Sequence, residues 1–345
     1  MSDVPVYLNG VGLCTSLGQN RETTQATYAA GKKKFFKDPK VIGQDGMPVT
    51  YAPVFNLHDV PDVRVRFQQL VAAVVADLTG QVPQMARSTQ VIMHLPAWLR
   101  EIGFGGELSH WPVLEEWSAM APKVVWSDQT SFPKLLADCH GIVAATPAQD
   151  VVLIAADTFL WAQLLDQLAL KKRTLSKSQP HGIIPSEAAV AFRLTTQERL
   201  NFETCIGWVD GHWQATEMQD VYAPKDMLGE ALAEVVNAGA THATVERLLV
   251  DADGERWRSE ELGMALARTS AISDELLADF ETPPLLTGYS GAAMPAVLIA
   301  LALGPGAIPV RPATQTERHL IVTSTLSGKR DGIGIVRDTR MEVSS

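Results

Sequence analysis

Cysteine is scarce in this chain. Cys14, Cys139 and Cys205 are the only three in 345 residues, too few and too scattered for a disulfide framework or a CxxC metal site, and they predict a reducing compartment. Basic runs are equally short: none exceeds Lys32-Lys33-Lys34, and 29 Lys and Arg stand against 39 Asp and Glu for a net charge of −10. A nucleic-acid footprint needs clustered cations to displace phosphate counterions, so the composition argues against that class. Long apolar runs are missing too. The longest, Gly291 to Leu303, stops at Gly304-Pro305-Gly306, short of the ~20 residues of a membrane span, and reads as a buried helix. The opening MSDVPVYLNG lacks the basic and apolar regions of a signal peptide. Together these absences predict a cytoplasmic protein without a membrane span. What is present, 46% hydrophobic and 20% charged residues, describes a globular protein of two domains or one large two-lobed unit.

Strand-like runs alternate with helix-like ones, the pattern of a layered α/β architecture. Val4–Val11, Gln90–His94, Asp150–Ala155 and Gly182–Leu194 read as strands. Arg21–Ala30, closed by Gly31, reads as a helix, as do Phe67–Gly80 and Leu160–Leu170. After the polar stretch Thr195–Leu200 the pattern begins again. Phe202–Asp210 and Val245–Asp251 read as strands, and Met227–Ala238 as a helix stopped by Gly239. Glu260–Ala267 and Gly291–Leu303 read as helices, and His319–Ser324 with Gly332–Arg337 as a closing hairpin. Two strand-first halves suggest an internal duplication divided at 198/199. One segment breaks the alternation: Trp98, Trp111, Trp117 and Trp126 fall between residues 96 and 126. That concentration fits either a contact surface or a long excursion folded back on the core.

Several segments, in collinear order over nearly the whole chain, resemble the β-ketoacyl-[acyl-carrier-protein] synthases of the thiolase-fold superfamily. VYLNGVGLCTSLGQNRETTQATYAAGK is similar to that family's first strand and helix, and DVVLIAADTF to the strand after its nucleophile helix. GIIPSEAAVAF carries Ser186 where the family usually has Gly. VERLLVDADGERWRSEELGMA and TGYSGAAMPAVLIALALGPGAIPV resemble the stretches bearing the two catalytic histidines, and SGKRDGIGIV the closing Gly-rich turn. The resemblance implies a thiolase-like, five-layered αβαβα fold of two duplicated halves, 1–198 (with the Trp-rich excursion 96–126) and 199–345. It also implies a homodimer or a heterodimer.

The condensation catalysed by that family needs a nucleophilic Cys at a helix N-terminus, where the dipole and an oxyanion hole stabilise thiolate and tetrahedral intermediate. Two His residues polarise the thioester carbonyl and assist loss of carbon dioxide, with a Lys nearby. The matching position for the first His holds Asp253, whose carboxylate would repel a developing enolate. That for the second holds Gly288, and the Lys would fall near Pro283. The nucleophile position, in SDQTSFPKLL, is Thr130 or Ser131. The resemblance therefore implies a degenerate ketosynthase-like protein lacking the Cys-His-His set, with no catalytic residue, cofactor or metal assigned.

Other candidates read as structural. Cys139-His140 sits toward the wrong end of its helix for a thiolate, and adjacent helical residues do not face each other. Cys14 and Cys205 read as small buried groups. Ser131 as a hydrolase nucleophile needs a base, and nothing in the resemblance brings His94, His110 or His140 to it, so an N-cap at Thr130 or Ser131 is the simpler reading. Asp251, Asp253 and Glu255 form a DxDxE pattern, read as a solvated strand-to-helix turn rather than a metal site. Gly103–Gly106 lacks the strand and helix of a phosphate loop. The reading is an inactive ketosynthase-like protein acting as a binding, scaffold or partner subunit. Its partner would be a second copy, a ketosynthase relative or an acyl-carrier protein, as the silent partner of an acyl-chain synthase, or it serves as an accessory protein of a bacterial assembly. The alternative is an acyl-thioester hydrolase or acyltransferase using a non-Cys nucleophile such as Ser131. Replacing Asp253 and Gly288 together by His is expected to leave stability similar and to restore no condensation.

Overall fold

The computed structural model describes residues 6–42, 46–82, 89–104, 114, 122–146, 149–177, 179–196, 205–226, 228–304 and 316–338. The first half contributes strands β1 (Val6–Thr15), β2 (Phe36–Ile42), β3 (Pro48–Tyr51), β4 (Gln90–Leu95), β5 (Lys123–Trp126), β6 (Val151–Thr158) and β7 (Glu187–Thr196). Its helices are α1 (Arg21–Ala29), α2 (Val63–Gln81), α3 (Trp98–Glu101), α4 (Phe132–Ala145) and α5 (Ala162–Leu170). The second half supplies β8 (Cys205–Thr216), β9 (Arg247–Val250), β10 (Thr316–Ser324) and β11 (Lys329–Asp338). Its helices are α6 (Glu230–His242), α7 (Arg256–Ala267), α8 (Asp274–Ala278), α9 (Pro284–Thr287) and α10 (Met294–Ala302).

Nine strands form one sheet in the order β5-β4-β6-β7-β1-β8-β11-β10-β9. Read inward from either end, the same plan repeats. A parallel pair, β4 with β6 or β9 with β10, is followed by an antiparallel strand, β7 or β11, and then by the half's first strand, β1 or β8. The halves join where β1 pairs with β8 over Tyr7↔Trp208, Leu8↔Gly207 and Asn9↔Cys205. Helices α4 and α10 pack on each other and on strands of both halves, while α2 covers the first half and α6 the second. This is the five-layered αβαβα arrangement. The division at 198/199 falls in 197–204, outside the described residues.

The sequence accounts for the layering. Every residue of β6, VVLIAADT, is buried, as a strand covered by helices on both faces requires. In α10 every described side chain except Pro295 is buried, because this helix packs on α4 and on strands from both halves of the sheet. The Gly291 start of that expected helix is a 3-10 turn, Gly291–Ala293, and the α-helix proper begins at Met294 with Pro295 in its first turn. Gly239 does not stop α6, which continues to His242. The glycine is there for packing: a Cβ on it would sit 2.7 Å from Leu320 of β10. The β2–β3 hairpin was not anticipated, because its strands are short and rich in Lys and Pro. Of the Trp-rich segment, Trp98 stacks on Trp161 at 5.4 Å and Trp126 lies beneath the Arg100 guanidinium, both against the first-half core. Trp111 and Trp117 lie outside the described residues. Among the described residues, no helix is long and apolar enough to cross a membrane.

Candidate functional site

The position matching the nucleophile lies where β5 turns into α4. Phe132 is the first helical residue, Pro133 follows in the first turn, and Ser131 occupies the N-cap. Its hydroxyl does not cap the helix. Ser131 Oγ instead donates to Asp331 Oδ1 on β11 at 2.9 Å. The same oxygen takes Nε2 of His212 at 3.0 Å and Nε2 of Gln214 at 3.0 Å, both from β8. Ser131 therefore pins the first half to the second through a fully buried carboxylate, and its proton faces that carboxylate rather than an imidazole. His94, expected to have no place near this segment, in fact lies against it. Its Nε2 is 3.1 Å from the Thr130 carbonyl, and its ring meets Phe132 edge-on at 5.6 Å. His110 lies outside the described residues, and His140 is half-buried on α4, where desolvation lowers its pKa.

The DxDxE segment is buried, not solvated: Asp251, Asp253 and Glu255 are all buried, and so is Arg258 on the first turn of α7. Arg258 is the hub. Its Nη1 donates to Asp251 Oδ2 at 2.6 Å and to the Ser324 carbonyl at 2.7 Å, and its Nη2 to the Tyr289 hydroxyl at 3.0 Å. Asp253 Oδ2 lies 3.1 Å from Arg258 Nε as an ion pair without hydrogen-bond geometry, while Asp253 Oδ1 accepts the Glu255 backbone N–H. Glu255 is in turn gripped by Arg173 through both carboxylate oxygens, at 2.7 and 2.9 Å. Burial pushes Asp253 up to about 6 against the pull of Arg258, and burial likewise raises Asp251. The arginines hold these carboxylates by fixed donors, which leaves no set of free ligands; among the described residues no group of His, Cys, Asp or Glu is arranged to hold a metal. The cavity beside Asp251, Arg258 and Ser324 measures about 10 Å³, room for one water at most.

Gly288 closes α9 with φ +73 and ψ 172, a region almost restricted to glycine. A Cβ built on it would meet Ser186 Cβ at 2.7 Å, the Ile184 carbonyl at 2.9 Å and Ala52 Cβ at 3.0 Å. Ser186 is fixed in place, its hydroxyl within 2.8 Å of both the Ala52 and Thr287 carbonyls. Position 288 thus has neither the backbone nor the space for a histidine, which corrects the expectation that one could be introduced at no cost. Tyr289, next in sequence, bridges to Pro185 and stacks its ring under Arg258. Pro283, near which the resemblance would put the Lys, occupies the N-cap of α9 and carries no amine side chain.

Two titratable groups lie at the carboxyl ends of adjacent parallel strands, where α/β sheets place their sites: His94, weighed above only as a base for Ser131, and Asp157, which the sequence did not single out. Asp157 ends β6, fully buried, with Oδ2 accepting the Ala292 N–H at 2.7 Å and Oδ1 without a hydrogen bond. Desolvation drives it up to about 7, and drives His94 at the end of β4 down to about 4. Desolvation also pushes the Cys139 thiol up to about 12 and Cys14 far above its ordinary value, so neither supplies a thiolate at neutral pH. The side chain of Cys205 lies outside the described residues.

No protein-family model matches the sequence, and no curated protein matches it. Solved structures do. A chain of the ishigamide ketosynthase/chain length factor superimposes with a TM-score of 0.71 at 14% identity, over 97% of this chain and 99% of that one. A ketosynthase in complex with its chain length factor from Xenorhabdus doucetiae gives 0.66 at 12% identity, over 97% and 98%. A type II polyketide synthase acyl-carrier protein in complex with its ketosynthase gives 0.69 at 12% identity, over 97% and 99%. The chain has the thiolase-like fold of the ketosynthases.

Proposed function

We propose that this chain is a catalytically silent ketosynthase-like protein that works as a binding, scaffold or partner subunit. The carrying observation is the Arg258 hub. Where condensation chemistry needs an imidazole to donate to an enolate, a buried guanidinium satisfies two carboxylates, a tyrosine and a backbone carbonyl. Gly288 adds a backbone that no histidine can take up, and Ser131 is committed to Asp331. The framework is thus retained while the reactive positions serve cohesion.

In this reading the two halves, 1–198 and 199–345, act as one unit in the cytoplasm, and the protein dimerises with itself or with a ketosynthase relative. The outer edge of β5 supports this: no described strand pairs with it, and Val124, Val125 and Trp126 are part-exposed. An unpaired apolar edge is a template for strand addition. Silent partnership with an acyl-chain synthase and accessory service to a bacterial assembly are its two forms. Mass spectrometry after incubation with acyl-CoA and with acylated carrier protein tests the reading. No adduct and no thioester turnover are expected; a covalent acyl group on any residue overturns it.

One contact favours a second reading. Ser131 and His212 share Asp331 Oδ1, so a hydrolase could use the serine if its hydroxyl turned from the carboxylate to the His212 imidazole, which would take the proton as the oxygen attacks the thioester carbonyl. Thioester hydrolysis abolished by Ser131→Ala would establish that reading in place of the first.

A further inference from the structure

Ten carboxylates among the described residues are buried, and eight of them are ion-paired to arginine. A buried charge needs such a partner, because the interior does not replace the water it gives up. The two exceptions are Asp157 on β6 and Asp331 on β11. Asp157 belongs to the first half and meets the start of α10 in the second, accepting the Ala292 N–H at 2.7 Å. Asp331 belongs to the second half and meets the start of α4 in the first, through Ser131. Each of these two helices thus presents its amino end to a carboxyl group from the opposite half.

The amino end of α4 is suited to an anion. A first helical turn leaves N–H groups without helical acceptors and carries the positive end of the peptide dipoles. In α4 the first N–H to find a helical acceptor is that of Leu135, on the Ser131 carbonyl. The Ser131 hydroxyl caps nothing, and the first turn holds no acidic residue of its own. Three side-chain donors converge beside this pole, with Ser131 Oγ 2.9 Å, His212 Nε2 3.0 Å and Gln214 Nε2 3.0 Å from Asp331 Oδ1. Asp331 itself is 0% exposed, and its Oδ2 is buried without a hydrogen-bond partner. No arginine or lysine pairs with it among the described residues, so the helix end is the source of positive potential that remains. The way in from solvent is short, since Ser131 and His212 are part-exposed and Gln214 is exposed.

We propose that the amino end of α4, with Ser131, His212 and Gln214, is a site for a small carboxylate, and that Asp331 is its built-in occupant. The inference deepens the silent-partner reading and rests on it for its role. The pole at which the resemblance puts a thiolate and its oxyanion is kept, but an anion of the chain itself fills it. That anion repels a second one and holds the Ser131 proton, which keeps the serine from attacking a thioester. It also fastens β11 of the second half to α4 of the first.

Asp331→Ala removes the carboxyl group and leaves room for formate, which brings the two oxygens back. The full-length variant is melted in sodium formate, with equal concentrations of sodium chloride and of neutral formamide as references. Formate is expected to raise the melting temperature saturably, with a dissociation constant of about 1 mM or weaker, the ceiling for a ligand of three non-hydrogen atoms. Chloride and formamide should not. The parent should not respond, nor should Asp331→Asn, whose amide fills the same space. Adding Ser131→Ala to Asp331→Ala should weaken formate binding about tenfold, the loss of one charge-assisted hydrogen bond. If Asp331→Ala is insoluble, refolding from urea in formate should recover it where formamide does not. Equal effects of formate and formamide, a parent response as large as the variant's, or no response of the variant by either route overturns the proposal. None of these readouts depends on thioester turnover, so an acyl adduct on the parent would remove the silent-partner reading and leave the anion site standing.

Discussion

Gly288→Ala adds one carbon, and its effect can be worked from the structure. The backbone at φ +73 and ψ 172 is nearly exclusive to glycine, so an alanine there costs about 1–3 kcal/mol in strain. The added Cβ then meets Ser186 Cβ at 2.7 Å and the Ile184 carbonyl at 2.9 Å. Neither can retreat freely, since Ser186 is hydrogen-bonded on two sides and Ile184 O accepts the Tyr289 N–H. Overpacking of this kind costs about 1–3 kcal/mol more, so a loss of about 2–6 kcal/mol is expected in all. Gly263→Ala is the control. It sits in α7, exposed, with nothing within 4 Å of its would-be Cβ, and the same substitution should stabilise by about 0.5–1 kcal/mol through helix propensity. Urea unfolding measures both, with the midpoint moving in opposite directions and the slope unchanged. A Gly288→Ala variant within about 0.5 kcal/mol of the parent would refute the reasoning. The paired replacement of Asp253 and Gly288 by His compounds this cost, because it also removes one of the two carboxylates that neutralise Arg258.

Arg258→Met should destabilise by about 3–5 kcal/mol, since it strands Asp251 and Asp253 in the interior; denaturant titration at pH 7 measures it, with partial recovery at pH 5 as Asp253 protonates. Asp157 has a folded pKa of about 7 against 3.8 unfolded, so the stability linked to its protonation is complete below pH 3.8 and lost as pH rises through 7. Asp157→Asn should therefore flatten the decline in stability between about pH 4 and 7. His94, lowered from 6.5 to about 4, works in the opposite sense, its contribution being complete above pH 6.5 and lost as pH falls through 4; His94→Gln should soften acid unfolding, followed by circular dichroism. Iodoacetamide at pH 8 should leave Cys14 and Cys139 unmodified in the native protein and label both in urea, as peptide mass spectrometry would report. Rapid native labelling of Cys139 would contradict a thiol raised to about 12.

Much of the framework was legible because it rests on local pattern. The unbroken apolar runs of β6 and α10 could only be layers covered on both faces, and Asp150 before β6 and Gly31 after α1 marked their ends. That Thr130, Ser131, Asp253 and Gly288 carry neither thiol nor imidazole could also be read without coordinates, from residue type alone. The β2–β3 hairpin was not legible. Its strands, FKDPKVI and PVTY, are too short and polar to show a period of two, and they exist because Tyr51 and Val49 pack on α5.

What each replacement does was decided only by tertiary structure. Asp251, Asp253 and Glu255 look like a solvated turn in sequence, because three acids in five residues ordinarily repel and seek water. They are buried because Arg258 and Arg173 converge on them from 5 to 82 positions away. Ser131 finds Asp331 across 200 residues, and His94 finds Thr130 across the ends of neighbouring strands. Sequence fixes which chemical groups are available, whereas burial and partners at long sequence separation decide their charge, their proton and their role. The sequence showed no cysteine in the segment SDQTSFPKLL, but only the fold disclosed the arginine hub at Asp251, Asp253 and Tyr289.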